Sequence, residues 1–163
     1  MSGKLLVFPD TGVLIAMIVY PRTRYGALSL AGEVLELYQM GAFSMVIGQS
    51  IVDELEEVID DRFAAQRGRM VSLLKPFAGQ FTRRPMPAEI AAVSSACSDP
   101  ADAPIFASAV IARPDIVLAN DFEAFHTPAA KSFWQQHRIT VESLYGLLCV
   151  FGRRQRREAS ALL

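Results

Sequence analysis

A chain of 163 residues is long enough to bury a real core, and it suits one domain better than two. Sixteen Lys and Arg against seventeen Asp and Glu leave a formal net charge of −1, so overall charge argues neither for nor against a polyanionic partner. Although 52% of the residues are apolar, no uninterrupted apolar run approaches the roughly 18 residues of a membrane span, which sets aside a membrane role and leaves a cytoplasmic protein with two buried, reduced cysteines, Cys97 and Cys149, as the expectation.

Residues 5–8 form a short all-apolar run, as in a strand buried on both faces. The run ends on Pro9, Asp10, Thr11 and Gly12. This break also argues against a signal peptide after Lys4. A helix is expected after Gly12. Residues 26–40 place Leu28, Ala31, Val34, Leu35 and Tyr38 at helical spacing, with Gly41 as the stop, and 43–48 (FSMVIG) reads as a second strand. Ser50 is suited to cap the next helix, with Asp53 three residues on, close to a capping box. Ile51, Leu55, Val58 and Ile59 are that helix's apolar stripe.

A further helix covers about 68–77, and QFTRRP (80–85) suits a polar edge strand. Helices are expected over 87–97 and 102–112. DIVLAND (115–121) repeats the opening theme, a buried strand ending on an acid. RIT (138–140) is the last candidate strand, before a helix from about 142 to 153. The organisation is thus one domain over 1–152 and a basic C-terminal tail over 153–163, where RRQRR is the densest positive cluster.

Asp-Thr-Gly is also the signature triplet of aspartic proteases. Those enzymes are β-rich, however, whereas strands here alternate with helices and lack polar alternation. That pattern means a parallel sheet covered on both faces. In such sheets chemistry gathers at the carboxyl ends of the strands. Asp10 and Asp121 each end a buried strand, Glu54 projects from the 50s helix opposite Leu55 and Val58, and Asp102 opens a helix rich in small residues. Several carboxylates in one crevice repel one another unless a cation compensates. Oxygen ligands without nearby His or Cys point to Mg²⁺ or Mn²⁺ rather than zinc. Such an ion acidifies water and binds phosphate, so hydrolysis of a phosphodiester is the chemistry expected.

Four segments in order, VFPDTGVLI, SIVDELEEVI, SDPADAPIFASAV and DIVLANDFEAF, resemble the motifs of the PIN-domain family, metal-dependent ribonucleases that include VapC-type toxins. The resemblance implies a three-layer α/β/α sandwich with a five-stranded parallel sheet of order 3-2-1-4-5. It implies an endoribonuclease using Mg²⁺ or Mn²⁺, with Asp10, Glu54, Asp102 and Asp121 in the matching places and Asp10, Asp102 and Asp121 as metal ligands. In toxin members an antitoxin protein lays a segment into the active-site groove, and family members commonly form homodimers. Two positions depart from the pattern. Gly12 stands where the family most often has Asn, and Ala119-Asn120 where Thr-Gly or Ser-Gly is usual.

Supporting roles around the acids are expected of Thr11, Asp99 and Asn120. Asp99 competes with Asp102 as the helix cap, and Glu57 is an alternative to Glu54. RNA phosphates are expected at Arg22 and Arg24, in the loop after the first strand and helix, and at Arg153 and Arg154. The tail arginines equally suit a solvated surface. His126 and His137 read as surface residues and Trp134 as packing. Two other classes remain open: a PIN fold that binds RNA or a protein without cutting it, and a phosphatase of the haloacid dehalogenase type. The second needs an Asp at position 12, where Gly stands.

Overall fold

The structure, a computed structural model, describes residues 3–161, with side chains as far as Gly152. The chain begins with β1 (Leu6–Pro9), α1 (Thr11–Val19), α2 (Leu30–Gln39), β2 (Ser44–Met45) and α3 (Gln49–Arg62). Three helices follow, α4 (Arg67–Leu74), α5 (Pro87–Val93) and α6 (Ala103–Ala112). Then come β3 (Ile116–Leu118), α7 (Phe122–Phe125), α8 (Pro128–Gln136), β4 (Thr140–Glu142) and α9 (Leu144–Ala161). The last helix therefore crosses position 152. No helix among the described residues is long and apolar enough to cross a membrane.

The strands make one parallel sheet of order β2-β1-β3-β4. Val7 pairs with Met45 on one side and Ile116 on the other, and Val117 pairs with Val141. Successive side chains of a strand point to opposite faces. Val7 and Phe8 are both fully buried, as are Val117 and Leu118, so helices cover both faces of the sheet. The alternating strands and helices are thus an α/β fold.

The expected fifth strand is absent among the described residues. QFTRRP touches the sheet at a single bridge, Gly48 with Thr82, where Thr82 N–H donates to Ile47 O (2.9 Å) and Gln49 N–H to Thr82 O (2.8 Å). The ladder ends there because its neighbour turns into α3 at Gln49. Beyond it Pro85 has no N–H to offer, and Arg83 and Arg84 bond to Glu89 and Asp53 instead.

Other boundaries move for local reasons. The helix expected from residue 26 starts at Leu30, because Ser29 Oγ accepts from Gly32 N–H (3.1 Å) and caps it there. A Cβ on Gly32 would lie 1.9 Å from Pro21 O, so only glycine lets α2 pass the preceding loop so closely. Gly48, not Ser50, is the N-cap of α3, which leaves the Ser50 side chain in its first turn. The last strand lies at 140–142 rather than 138–140. Helices α7 and α8 occupy a stretch with no predicted element. There Trp134 is buried against Phe106 (centroids 4.5 Å apart), and its Nε1–H donates to Phe125 O (3.2 Å).

Candidate active site

The β1–β3 pairing extends one bond past the strands, from Asp10 N–H to Leu118 O (2.9 Å). It holds Asp10 at the carboxyl end of β1, as the N-cap of α1. Asp102 is likewise the N-cap of α6, and Asp121 that of α7. Three helices therefore begin at this end of the sheet, each with a carboxylate where the helix dipole favours one. Their capping differs. Asp121 Oδ1 accepts from Ala124 N–H (3.1 Å), whereas Asp10 and Asp102 make no side-chain capping bond. Asp99 takes the local capping role instead, accepting from Ala101 N–H at 2.9 Å, and so leaves the Asp102 carboxylate free.

Glu54, in the second turn of α3, completes the group. Asp10, Glu54, Asp102 and Asp121 all line one cavity of about 500 Å³, together with Thr11, Ser50, Asp53, Glu57, Ile15 and Phe125. Ser50, Glu54 and Glu57 share one face of α3, at spacings of four and three, opposite its buried Ile51 and Leu55.

The electrostatics are those of crowded anions, with no Lys or Arg among the described residues that line the cavity. Burial pushes the Asp10 carboxyl up to about 6, and the charges of Glu54 and Asp102 push the same way. The backbone N–H groups of Thr11 and Gly12 draw it back down. Burial also raises Asp102, aided by the charges of Asp99, Asp121 and Glu54.

Thr11 is buried (4% exposed), and its Oγ1 donates to Glu54 Oε2 at 2.7 Å. The hydroxyl thus ties the β1–α1 junction to α3 across 43 residues of sequence. No local pattern announces that bond. A Cβ at Gly12 would meet only Asp10 Oδ2, at an ordinary 3.6 Å, so there is room for a side chain beside the acid.

Other expected site residues stand apart from the cavity. Asn120 Oδ1 accepts from Leu144 N–H (2.9 Å) and secures the start of α9. Arg22 donates to Gly26 O (2.9 Å), and Arg24 donates to Tyr25 Oη (2.6 Å) and lies over its ring. Both belong to the loop after α1 and neither lines the cavity. The side chains of Arg153 and Arg154 lie outside the described ones. A cation missed by the sequence reading stands nearby instead: Arg84 grips Asp53 with two bonds of 2.6 and 2.8 Å. The paired arginines of QFTRRP were its only signal.

Hard, anionic oxygens are the right donors for Mg²⁺ or Mn²⁺, and burial, helped by neighbouring acids, raises both Asp10 and Asp102. Among the described residues no three Asp, Glu, His or Cys side chains yet stand as a ready ligand set. Thr11 holds one oxygen of Glu54, and the N–H of Ala124 holds one of Asp121. The donor chemistry fits such an ion, while the side chains as they stand do not converge on it.

A family model described as PIN domain matches residues 6–123, a span containing all four acids. No curated protein and no solved structure matches the chain.

Proposed function

The chain belongs to the PIN-domain family, and we propose that it is a divalent-metal-dependent endoribonuclease acting through Asp10, Glu54, Asp102 and Asp121. Members of the family are generally metal-dependent nucleases. The observation that carries the reading is the meeting of four carboxylates from distant segments in one cavity, with Asp10 raised to about 6 and no Lys or Arg among the described residues that line it. Asp10, Asp102 and Asp121 would hold Mg²⁺ or Mn²⁺. Such an ion, when bound, acidifies water and offsets charge on the scissile phosphate. Glu54, steadied by Thr11, accepts the proton released from the attacking water. The N-termini of α1 and α6 add positive ends of helix dipoles on the side where phosphate arrives.

The finer assignment is a cytoplasmic toxin held in check by an antitoxin protein, in a homodimeric assembly. A short neighbouring reading frame for a DNA-binding antitoxin would support it. A second reading, a PIN fold that binds RNA or a partner protein without cutting it, is favoured by the bonds that now occupy Glu54 and Asp121.

Cleavage decides between the two. Purified protein is expected to cut RNA with Mn²⁺ or Mg²⁺ and to fall silent in EDTA. Mn²⁺ should also raise the melting temperature, because it binds only the folded acid cluster. The Asp10→Asn/Asp121→Asn variant should lose both effects. A metal-induced shift that persists in the variant would place the ion elsewhere, and RNA binding without cleavage in either metal would favour the binding module.

A further inference from the structure

Phe122 follows Asp121 directly and opens α7, yet it is 59% exposed. It stands with Phe125 and His126 at spacings of three and four, on one face of the helix. Asp121 immediately before it and Phe125 one turn after it both line the acid cavity, so Phe122 stands beside the cavity without lining it. The exposed ring is also held in place. It stacks on His126 with centroids 4.4 Å apart and planes 30° from parallel.

His126 is fixed in turn. Its Nε2 lies 2.7 Å from Ala119 O, and a carbonyl can only accept, so Nε2 carries the proton and the imidazole cannot turn freely. Ala119 is fully buried at the end of β3, with its N–H bonded to Glu142 O at 3.0 Å. The Phe122 ring thus rests on a support anchored to the sheet. A cavity of carboxylates repels the phosphates of any nucleic acid that approaches it. Attraction beside it has to come from a group without negative charge, and an aromatic face offers stacking to any base.

We propose that the Phe122–His126 pair is a base-stacking subsite that seats one unpaired nucleobase of RNA beside the acid cavity. The proposal rests on the nuclease reading of that cavity and adds to it a seat for an unpaired base. A base inside a duplex has both faces covered by its neighbours and cannot reach the ring without being splayed out.

The test is binding in the Asp10→Asn background without divalent metal, so that no strand is cut. The probes are a short unstructured RNA carrying 2-aminopurine and the duplex of the same sequence. Phe122→Ala is expected to weaken binding of the single strand about tenfold, to abolish quenching of the 2-aminopurine, and to change duplex affinity by less than about twofold. Phe122→Trp should keep both affinity and quenching. Unchanged single-strand affinity in Phe122→Ala would overturn the subsite, and so would equal losses on single strand and duplex. Metal-dependent cleavage by the unsubstituted protein is scored separately. Its absence alongside the expected binding results would overturn the nuclease reading and support the stacking subsite.

Discussion

At the carboxyl ends of the strands Asp10 is held up at about 6, while at their amino ends Glu89 is held down at about 2. The second region is also a cavity, of about 590 Å³, lined by Glu89, Asp115, Arg83, Arg113, His137 and Arg138 among others. Its acids have partners within the fold. Glu89 receives two bonds from Arg83, at 2.6 and 2.9 Å, and Met86 N–H at 2.7 Å. Asp115 accepts from Leu6 N–H at 2.7 Å. Arg113 and Arg138 follow α6 and α8 in the left-handed region, with φ of 50° and 57°, where positive charge suits a helix C-terminus. Carboxylates whose charge is answered inside the chain lock elements together. Asp10 has only the backbone N–H groups of Thr11 and Gly12 against its acidic neighbours, and no cation among the described residues answers it or Asp102, so a balancing charge has to come from outside.

The largest expected effect is on chemistry. Asp10→Asn should reduce metal-dependent RNA cleavage by about a hundredfold or more while leaving circular dichroism unchanged. An active Asp10→Asn would erase the distinction between the two ends.

The same substitution should act on stability in the opposite sense. The folded Asp10 titrates at about 6 against an ordinary 3.8, so the native state holds its proton more tightly than the unfolded chain does. The stability it contributes is present below the unfolded value and is lost as pH rises through the folded one. Without metal, the loss amounts to about 2 kcal/mol between pH 4 and 7. Urea unfolding of wild type and Asp10→Asn across that range isolates the effect as the difference of two curves. The variant should be the more stable at neutral pH, and Mn²⁺ should close the gap.

Next comes Thr11, which belongs to the acid end but carries no charge. Thr11→Val removes the bond to Glu54 and should lower cleavage about tenfold, with about 1 kcal/mol of stability lost. Thr11→Ser, which restores a hydroxyl, should recover most of the rate. Equal rates in the two variants would show that the bond does not orient Glu54.

The smallest effect belongs to the amino ends. Glu89→Gln breaks an exposed ion pair and should lower the melting temperature by no more than about 2 °C, with cleavage unchanged. A marked loss of activity there would mean the two ends are coupled.

The sequence alone carried the α/β class, because buried parallel strands read as unbroken apolar runs and Leu6–Pro9 and Ile116–Leu118 have no polar alternation. It also singled out four candidate acids: Asp10, Asp102 and Asp121 because a charge that ends an apolar run or opens a helix of small residues stands out locally, and Glu54, which lies in an acidic run, only through its motif. Tertiary structure decided what depends on partners far along the chain. QFTRRP has the composition of an edge strand, yet the ladder stops where its neighbour becomes α3. Asn120 adjoins Asp121, and its side chain holds the start of α9. Thr11 is expected to support the acids, and the packed chain makes Glu54, 43 residues away, the one it holds. The placement of Arg84 on Asp53, and of the Phe122 ring on an imidazole bonded to Ala119, likewise needs the packed chain. Side-chain hydrogen bonds and ring contacts depend on distances of a few ångströms between segments that sequence spacing does not encode, whereas burial and helix periodicity are written into each segment itself.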